Sequence, residues 1–455
     1  MLLNPFAAAG LRGPEYAELR AERSRLLSAV WRGGALEGIN WTLDEGGCAR
    51  VLGPGGSSFV SYTDGDPATA LRQARHRSQS LAAAPARPAE REPVRAAYRT
   101  EATEPVSDIA LDEQASLLAA YHARALAAHP AITGALVYYR HTHSTVDLVT
   151  SDGSELSWTR GDMTLQITVY AGDGGGRGVG SVSVGSAGDF AAVRGLEERI
   201  DQAAATAVEL SRAPALESGT YDVVCDGPLA AIWAHETVGH LAEADHQLGD
   251  PDMVEAMKPG RQVGPAELTI TDAAGPPTAR GHVPFDDEGT PARNVTIIGK
   301  GVLETSRLHD RRTAAAFGES PTGNARALDF RHPPLPRLRT TCIEAGPDDL
   351  ADMIGGIRGR GLLACGVLGG QTDRLGYVFM PATCRLVEDG EVKGLVRGAT
   401  LSGDVLDSLG RVDAVGQEVW RGDTSASCGK QGQWPLPVSS WGPAIRLRGL
   451  RVETG

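Results

Sequence analysis

Residues 132–178, ITGALVYYRHTHSTVDLVTSDGSELSWTRGDMTLQITVYAGDGGGRG, alternate polar and apolar side chains in long stretches broken by Gly, Asp and Ser. Successive side chains of a β-strand point to opposite faces, so a period of two selects strands, and the short polar breaks select hairpins. An antiparallel meander is expected, with helices flanking it. A helical period runs over residues 111–128, and a second over 189–212 with Asp189 as its N-cap. Upstream, PEYAELRAERSRLLSAVWRGG spaces Tyr16, Leu19 and Leu26 among Arg and Glu as a helix does, after which GINWTLDEGGCARVLGPGGSSFVSYT returns to strand-like alternation. A helix feeding a hairpin is expected there. Four prolines within residues 84–105 predict an exposed connection.

Beyond residue 216 the pattern changes. YDVVC reads as a short strand, Asp226-Gly227-Pro228 as a turn, and LAAIWAHETVGHLAEAD as a helix. Downstream, GYVFM, CRLVEDGEVKGLVRGATL and AIRLRGLRVETG read as strands between Gly turns. The fold class is therefore α+β, in two domains. Residues 1–215 form an N-terminal α/β domain with an antiparallel sheet and long helices, and residues 216–455 a mostly antiparallel β domain carrying the motif helix. A chain of 455 residues is long enough for two cores.

Forty-four Lys and Arg against 57 Asp and Glu give a net charge of −13, a field that repels phosphate backbones and anionic lipid. Neither nucleic acid nor membrane is an expected partner, and the basic run at Arg72, Arg75 and His76 reads as a solvated face. No stretch approaches the roughly 18 apolar residues a membrane span needs, and the first residues lack the basic start of a leader. A cytoplasmic location is expected. Cys48, Cys225, Cys342, Cys365, Cys384 and Cys428 are scattered without close pairing, as free thiols in a reducing compartment would be.

His235-Glu236-Thr237-Val238-Gly239-His240 puts two imidazoles and a carboxylate within six residues of the apolar helix. Imidazole nitrogens bind a borderline-soft cation, and an adjacent carboxylate can take a proton from water activated there. The familiar zinc-peptidase spacing is i and i+4; here it is i and i+5. On a straight α-helix five residues rotate about 500°, leaving the rings roughly 140° apart. A π-bulge at 236–240 would realign them, and Gly239 would ease the irregular backbone. A catalytic zinc takes three protein ligands, so a third must come from elsewhere; Glu243, Asp245, His246 and Cys428 are the candidates. His141 and His143 share one strand face, which reads as an exposed polar face. GPGGSS (53–58) and GDGGGRG (172–178) read as turns.

The blocks YAELRAERS, HETVGHLAEAD, DDEGTPARN, HDRRTAAAFGESPTGNARA, GGQTDRLGYVF, VKGLVRGATLSGD and CGKQGQWPLPVSSWG run in this order along nearly the whole chain, which thereby resembles the TldD/PmbA family, specifically its TldD-like, metal-bearing branch. The resemblance implies a zinc peptidase, with iron as the alternative metal, acting on short or unfolded peptides. It assigns His235, His240 and Cys428 as ligands and Glu236 as general base. It also implies a PmbA/TldE-like paralogous subunit as heterodimer partner. Two further classes would share the site: an amide hydrolase or transferase acting on a peptide-like biosynthetic intermediate, and a non-catalytic scaffold subunit. GVLGG (366–370) and ESPTGNAR (319–326) are candidate groove linings, or ordinary loops.

Overall fold

The alternation in the first half of the chain builds one large sheet. The computed structural model describes residue 11 and residues 13–81, 83–172, 176–304 and 307–454; the leader reading of the first ten residues and most of the glycine turn after Gly172 lie outside them. Strands β1 (Tyr16–Arg32), β2 (Ala35–Gly53), β3 (Gly56–Tyr62), β4 (Arg95–Arg99), β5 (Ile132–Thr150), β6 (Glu155–Gly172) and β7 (Arg177–Ser186) pair in the order β3-β2-β1-β5-β6-β4, with β7 also on β6. The expected meander is β5, β6 and β7, antiparallel throughout. Helix α1 (Pro67–Ser80) packs on β2 and β3, while α2 (Leu111–Ala127) and α3 (Glu197–Arg212) cover the face that presents Val137, Tyr139, Leu165, Ile167 and Val182.

Three expectations are corrected here. The segment read as a helix from Tyr16 is strand β1, paired along its length with β2 and β5. Its Ala, Leu, Glu and Arg favour a helix locally, but long-range pairing overrides that preference. The alternate charged residues are buried: Glu18 holds Arg50 at 2.7 Å, and Arg20 reaches both Glu22 at 2.9 Å and Asp287 at 2.7 Å. The proline-rich stretch 84–105 contains β4, an edge strand parallel to β6, where prolines flanking the strand cost no ladder bond. Asp189 caps only a short 3₁₀ turn, Phe190–Val193, because Gly195, at a φ of +68°, breaks the path before α3.

The second half holds β8 (Gly219–Cys225), β9 (Ile270–Ala273), β10 (Val295–Gly299), β11 (Val302–Leu303), β12 (Ala325–Arg326), β13 (Leu335–Pro336), β14 (Thr340–Ile343), β15 (Arg360–Asp373), β16 (Gly376–Glu388), β17 (Glu391–Val396), β18 (Ala399–Asp404), β19 (Val412–Val415), β20 (Ser427–Lys430), β21 (Gln433–Pro437), β22 (Ser439–Trp441) and β23 (Ile445–Thr454). One sheet runs β15-β8-β23-β18-β16-β17, and a further β15–β16 pairing closes it on itself. A second runs β11-β10-β9-β14-β22. Helix α4 (Gly227–Ala234) packs against β15 of the first and β14 and β22 of the second. Leu229, Trp233 and Val238 enter one core with Val223, Ile343 and Phe379, each large buried side chain contributing roughly 2–3 kcal/mol. The architecture is α+β, and no helix among the described residues is long and apolar enough to cross a membrane.

Candidate metal centre

Asp226 ends β8 and starts α4: its carboxylate accepts the Leu229 N–H at 3.0 Å, and Pro228 sits in the first turn, where its missing N–H costs nothing. After Ala234 the helix widens. His235–Gly239 form a π-helical turn, closed by the His240 N–H donating to the His235 carbonyl. The wider turn carries His240 back beside His235, with ring centroids 5.0 Å apart at 83°. The distortion expected from the i, i+5 spacing is present. Gly239, however, is not needed for backbone freedom. A Cβ there would lie 3.1 Å from the Ala234 carbonyl and 3.2 Å from both Leu338 methyls, so a side chain would fit only if its neighbours gave way.

Strand β20 brings Cys428 to the same place from near the C-terminus, with Sγ 3.5 Å from His240 Nε2. One ligating atom each from His235, His240 and Cys428 lies within 4.8 Å of the other two, and no other trio of His, Cys, Asp or Glu converges this way among the described residues. Each ring has its Nδ1 engaged, His235 with Thr341 Oγ1 at 3.2 Å and His240 with Glu243 Oε2 at 3.1 Å. Nε2 is thereby left as the free nitrogen of both rings, the arrangement in which a second partner fixes the tautomer of a metal-binding histidine.

The electrostatics favour a thiolate. Burial pushes the Cys428 thiol up, but the His240 and His235 imidazoles outweigh it and hold it well below the ordinary thiol range. Burial disfavours charge on His240, yet Cys428 and Glu243 raise it well above the usual imidazole value. Glu243 is itself fully buried; Lys430 and His240 overcome that burial and keep it well below the carboxylate range. Two imidazoles and a thiolate are a donor set that fits Zn2+ and accepts Fe2+.

Glu236 stands beside this trio, its Oε2 3.7 Å from His240 Nε2 and 3.3 Å from the Thr372 hydroxyl. Burial pushes its carboxyl up, against the pull of both imidazoles. With His240, Gln371, Thr372, Asp373 and Trp434 it lines a cavity of about 620 Å³. A second cavity, about 340 Å³, lies against the N-terminal sheet and holds no converging ligand set.

The other third-ligand candidates surround the trio instead of joining it. Glu243 binds His240 and, at 3.3 Å, His246, while Asp245 binds Lys430 at 2.5 Å. Lys430, Thr341 and Thr372 escaped the reading of the sequence. Only Lys430 left a signal there: two residues past Cys428 on one strand, it faces the same side. Of the suggested linings, Gly370 borders the cavity, whereas Asn324 and Arg326 are buried in the interior, Asn324 bonded to Asp272 at 2.8 Å. His141 and His143 are half-buried rather than exposed. GPGGSS is the turn between β2 and β3.

Models of the PmbA/TldA metallopeptidase match in chain order: domain 1 over residues 17–78, the central domain over 104–213 and the C-terminal domain over 218–454. A metalloprotease of Synechocystis sp. is 33% identical over 446 residues, covering 96% of this chain and 94% of that protein. A protein of Saccharolobus solfataricus named zinc metalloprotease TldD homolog is 32% identical over 238 residues, 52% of each chain. Among solved structures, TldE from Thermococcus kodakarensis shares the fold, with a TM-score of 0.76 at 17% identity over 99% of this chain and 98% of that one. With the matches spanning nearly its full length, the chain belongs to the PmbA/TldD family of metallopeptidases.

Proposed function

We propose that the chain is a zinc-dependent peptidase that cleaves short or unfolded peptides with metal-activated water, as the catalytic subunit of a TldD/TldE-like heterodimer. The observation that carries this reading is the convergence of His235, His240 and Cys428 within 4.8 Å beside Glu236. When bound, zinc supplies Lewis acidity, acidifying water to a pKa of about 7 and polarising a peptide carbonyl. His235, His240 and Cys428 hold it. Glu236 takes a proton from the attacking water and returns it to the leaving amine, its main chain held by the Thr372 hydroxyl, which donates to the Glu236 carbonyl and lies 3.3 Å from Oε2. The soft thiolate blunts the ion's acidity, so modest turnover is expected, and iron is the alternative occupant.

An extended peptide would lie along β15. Residues 370–373 line the cavity, β8 covers only residues 361–364 of that strand's other edge, and the Gly366 N–H is held by the Asp226 carboxylate, so a substrate strand would pair with the backbone beyond Gly366. Within this reading residues 216–455 form the unit that carries the site and residues 1–215 the unit that braces it. The free cysteines accord with a cytoplasmic setting. Glu236→Gln should keep its fold and metal stoichiometry while losing hydrolysis of a random peptide pool. Undiminished hydrolysis would reject Glu236 as the base. A wild type yielding one product where many are expected would instead favour an amide hydrolase of a single substrate.

A further inference from the structure

Cys428 sits on a two-stranded hairpin, β20 and β21, that belongs to neither large sheet of the second half. A ligand on so small an element needs an external clamp, and the segment leading into it is held by one side chain. Arg280 donates from Nη1 to the Thr424 carbonyl at 2.8 Å and the Ala426 carbonyl at 2.5 Å, and from Nη2 to Ser427 Oγ at 3.3 Å. Its backbone N–H donates to Asp423 Oδ2 at 2.8 Å. The guanidinium is anchored in turn by Asp162 of β6, through Nε at 2.7 Å and Nη2 at 3.2 Å, with side-chain exposures of 0% and 9%.

The N-terminal sheet holds the same segment at further points, among them Ser183 Oγ, which accepts the Ser425 N–H at 2.8 Å. The Ser425 hydroxyl donates to Gln166 Oε1 at 2.7 Å, and the Gly185 N–H donates to the Asp423 carbonyl at 2.9 Å. A Cβ at Gly185 would lie 2.2 Å from the Thr424 carbonyl and 2.5 Å from Arg280 Cδ, so β7 must be bare where the segment crosses it. Lys430, two residues beyond Cys428, fixes the far side on Glu243 and Asp245.

We propose that Arg280, pinned on Asp162, is the positioning residue for Cys428, so that the first half of the chain sets the sulfur's place in a metal centre whose other ligands lie in the second. The proposal rests on the reading of Cys428 as a metal ligand. Five donor contacts from one buried guanidinium, all to Asp162 or to the residues just before Cys428, tie the path of that segment to β6. Arginine suits the task because its rigid five-donor fork binds Asp162 through two nitrogens while still reaching two carbonyls and a hydroxyl, five contacts where a lysine ammonium has three donors.

The test is cobalt(II) substitution of the full chain, read by the sulfur-to-cobalt charge-transfer band and by affinity in chelator competition. Arg280→Lys keeps the charge facing Asp162 but loses the fork. The double change Arg280→Met with Asp162→Asn removes both charges of the pair, and leaves the partly buried Arg140 guanidinium, 3.5 Å from Asp162, an amide oxygen in place of the carboxylate. Gly185→Ala keeps both charges but sets a methyl against the Thr424 carbonyl and the Arg280 side chain, displacing the segment sterically. All three should weaken the charge-transfer band and lower cobalt affinity about 10–100-fold, with far-UV circular dichroism unchanged. Wild-type band and affinity in the Lys and Met/Asn variants would overturn the role of Arg280. Loss of the far-UV signal together with the band would also overturn it, by assigning the pair to global folding. A wild-type protein that binds cobalt with no sulfur band, like Cys428→Ala, would instead reject Cys428 as a ligand.

Discussion

Glu243 has no exposed side-chain surface and is shared by His240, His246 and Lys430. It orients a ligand while being neutralised by a lysine, so two substitutions separate its roles. Glu243→Gln keeps the shape but weakens the hold on His240 and takes one of two carboxylates from Lys430; zinc affinity should fall about 10–100-fold in chelator competition, with a smaller loss of stability than Lys430→Met because Asp245 still pairs the lysine. Lys430→Met leaves Glu243 and Asp245 buried without their cation and should cost about 3–5 kcal/mol in urea denaturation. Away from the site, His141 is pushed down to about 4 from 6.5, by burial first and then by His143 and Arg140. The folded protein keeps it neutral where the unfolded chain takes a proton. Its contribution is therefore full above pH 6.5, declines as pH falls from 6.5 toward about 4, and is gone below that. Between pH 7 and pH 5 the wild type should lose up to about 2 kcal/mol more than His141→Gln, measured from urea midpoints.

Among elements, the π-turn was legible because its cause is arithmetic: five residues cannot bring two rings together on a regular α-helix, so the backbone had to widen. The meander was legible for a similar reason, its period of two extending over three strands. Strand β1 was not. Its Glu and Arg satisfy a helical pattern, and the partners that bury them, Arg50 and Asp287, are remote in sequence. Nor could spacing find Thr341 and Thr372, which reach the site only through sheet topology. At Gly239 the turn has no room to spare. Gly239→Ala should force Leu338 or the turn itself to shift by a few tenths of an ångström, weakening zinc binding while leaving peptide KM for the residual loaded enzyme unchanged. Chelator competition and initial-rate kinetics on the zinc-saturated fraction read the two effects separately.

Across the whole molecule, buried ion pairs stitch the first half of the chain to the second: Arg20 to Asp287, Arg50 to Glu288 and Asp162 to Arg280. Expressed alone, residues 216–455 would leave Asp287, Glu288 and Arg280 without these partners, so that fragment should bind zinc far more weakly than the full chain in the same competition assay. The resemblance in sequence named the proposed ligands, but not these ion pairs, which are visible only once the sheets are assembled. The central claim is that His235, His240 and Cys428 hold one ion beside Glu236. Anomalous diffraction at the zinc absorption edge, on crystals of active protein, tests it most directly. The expected result is one strong peak bonded to Nε2 of both histidines and to Cys428 Sγ, at about 2.0–2.3 Å. An active enzyme whose metal peak lies away from those three atoms would contradict the account.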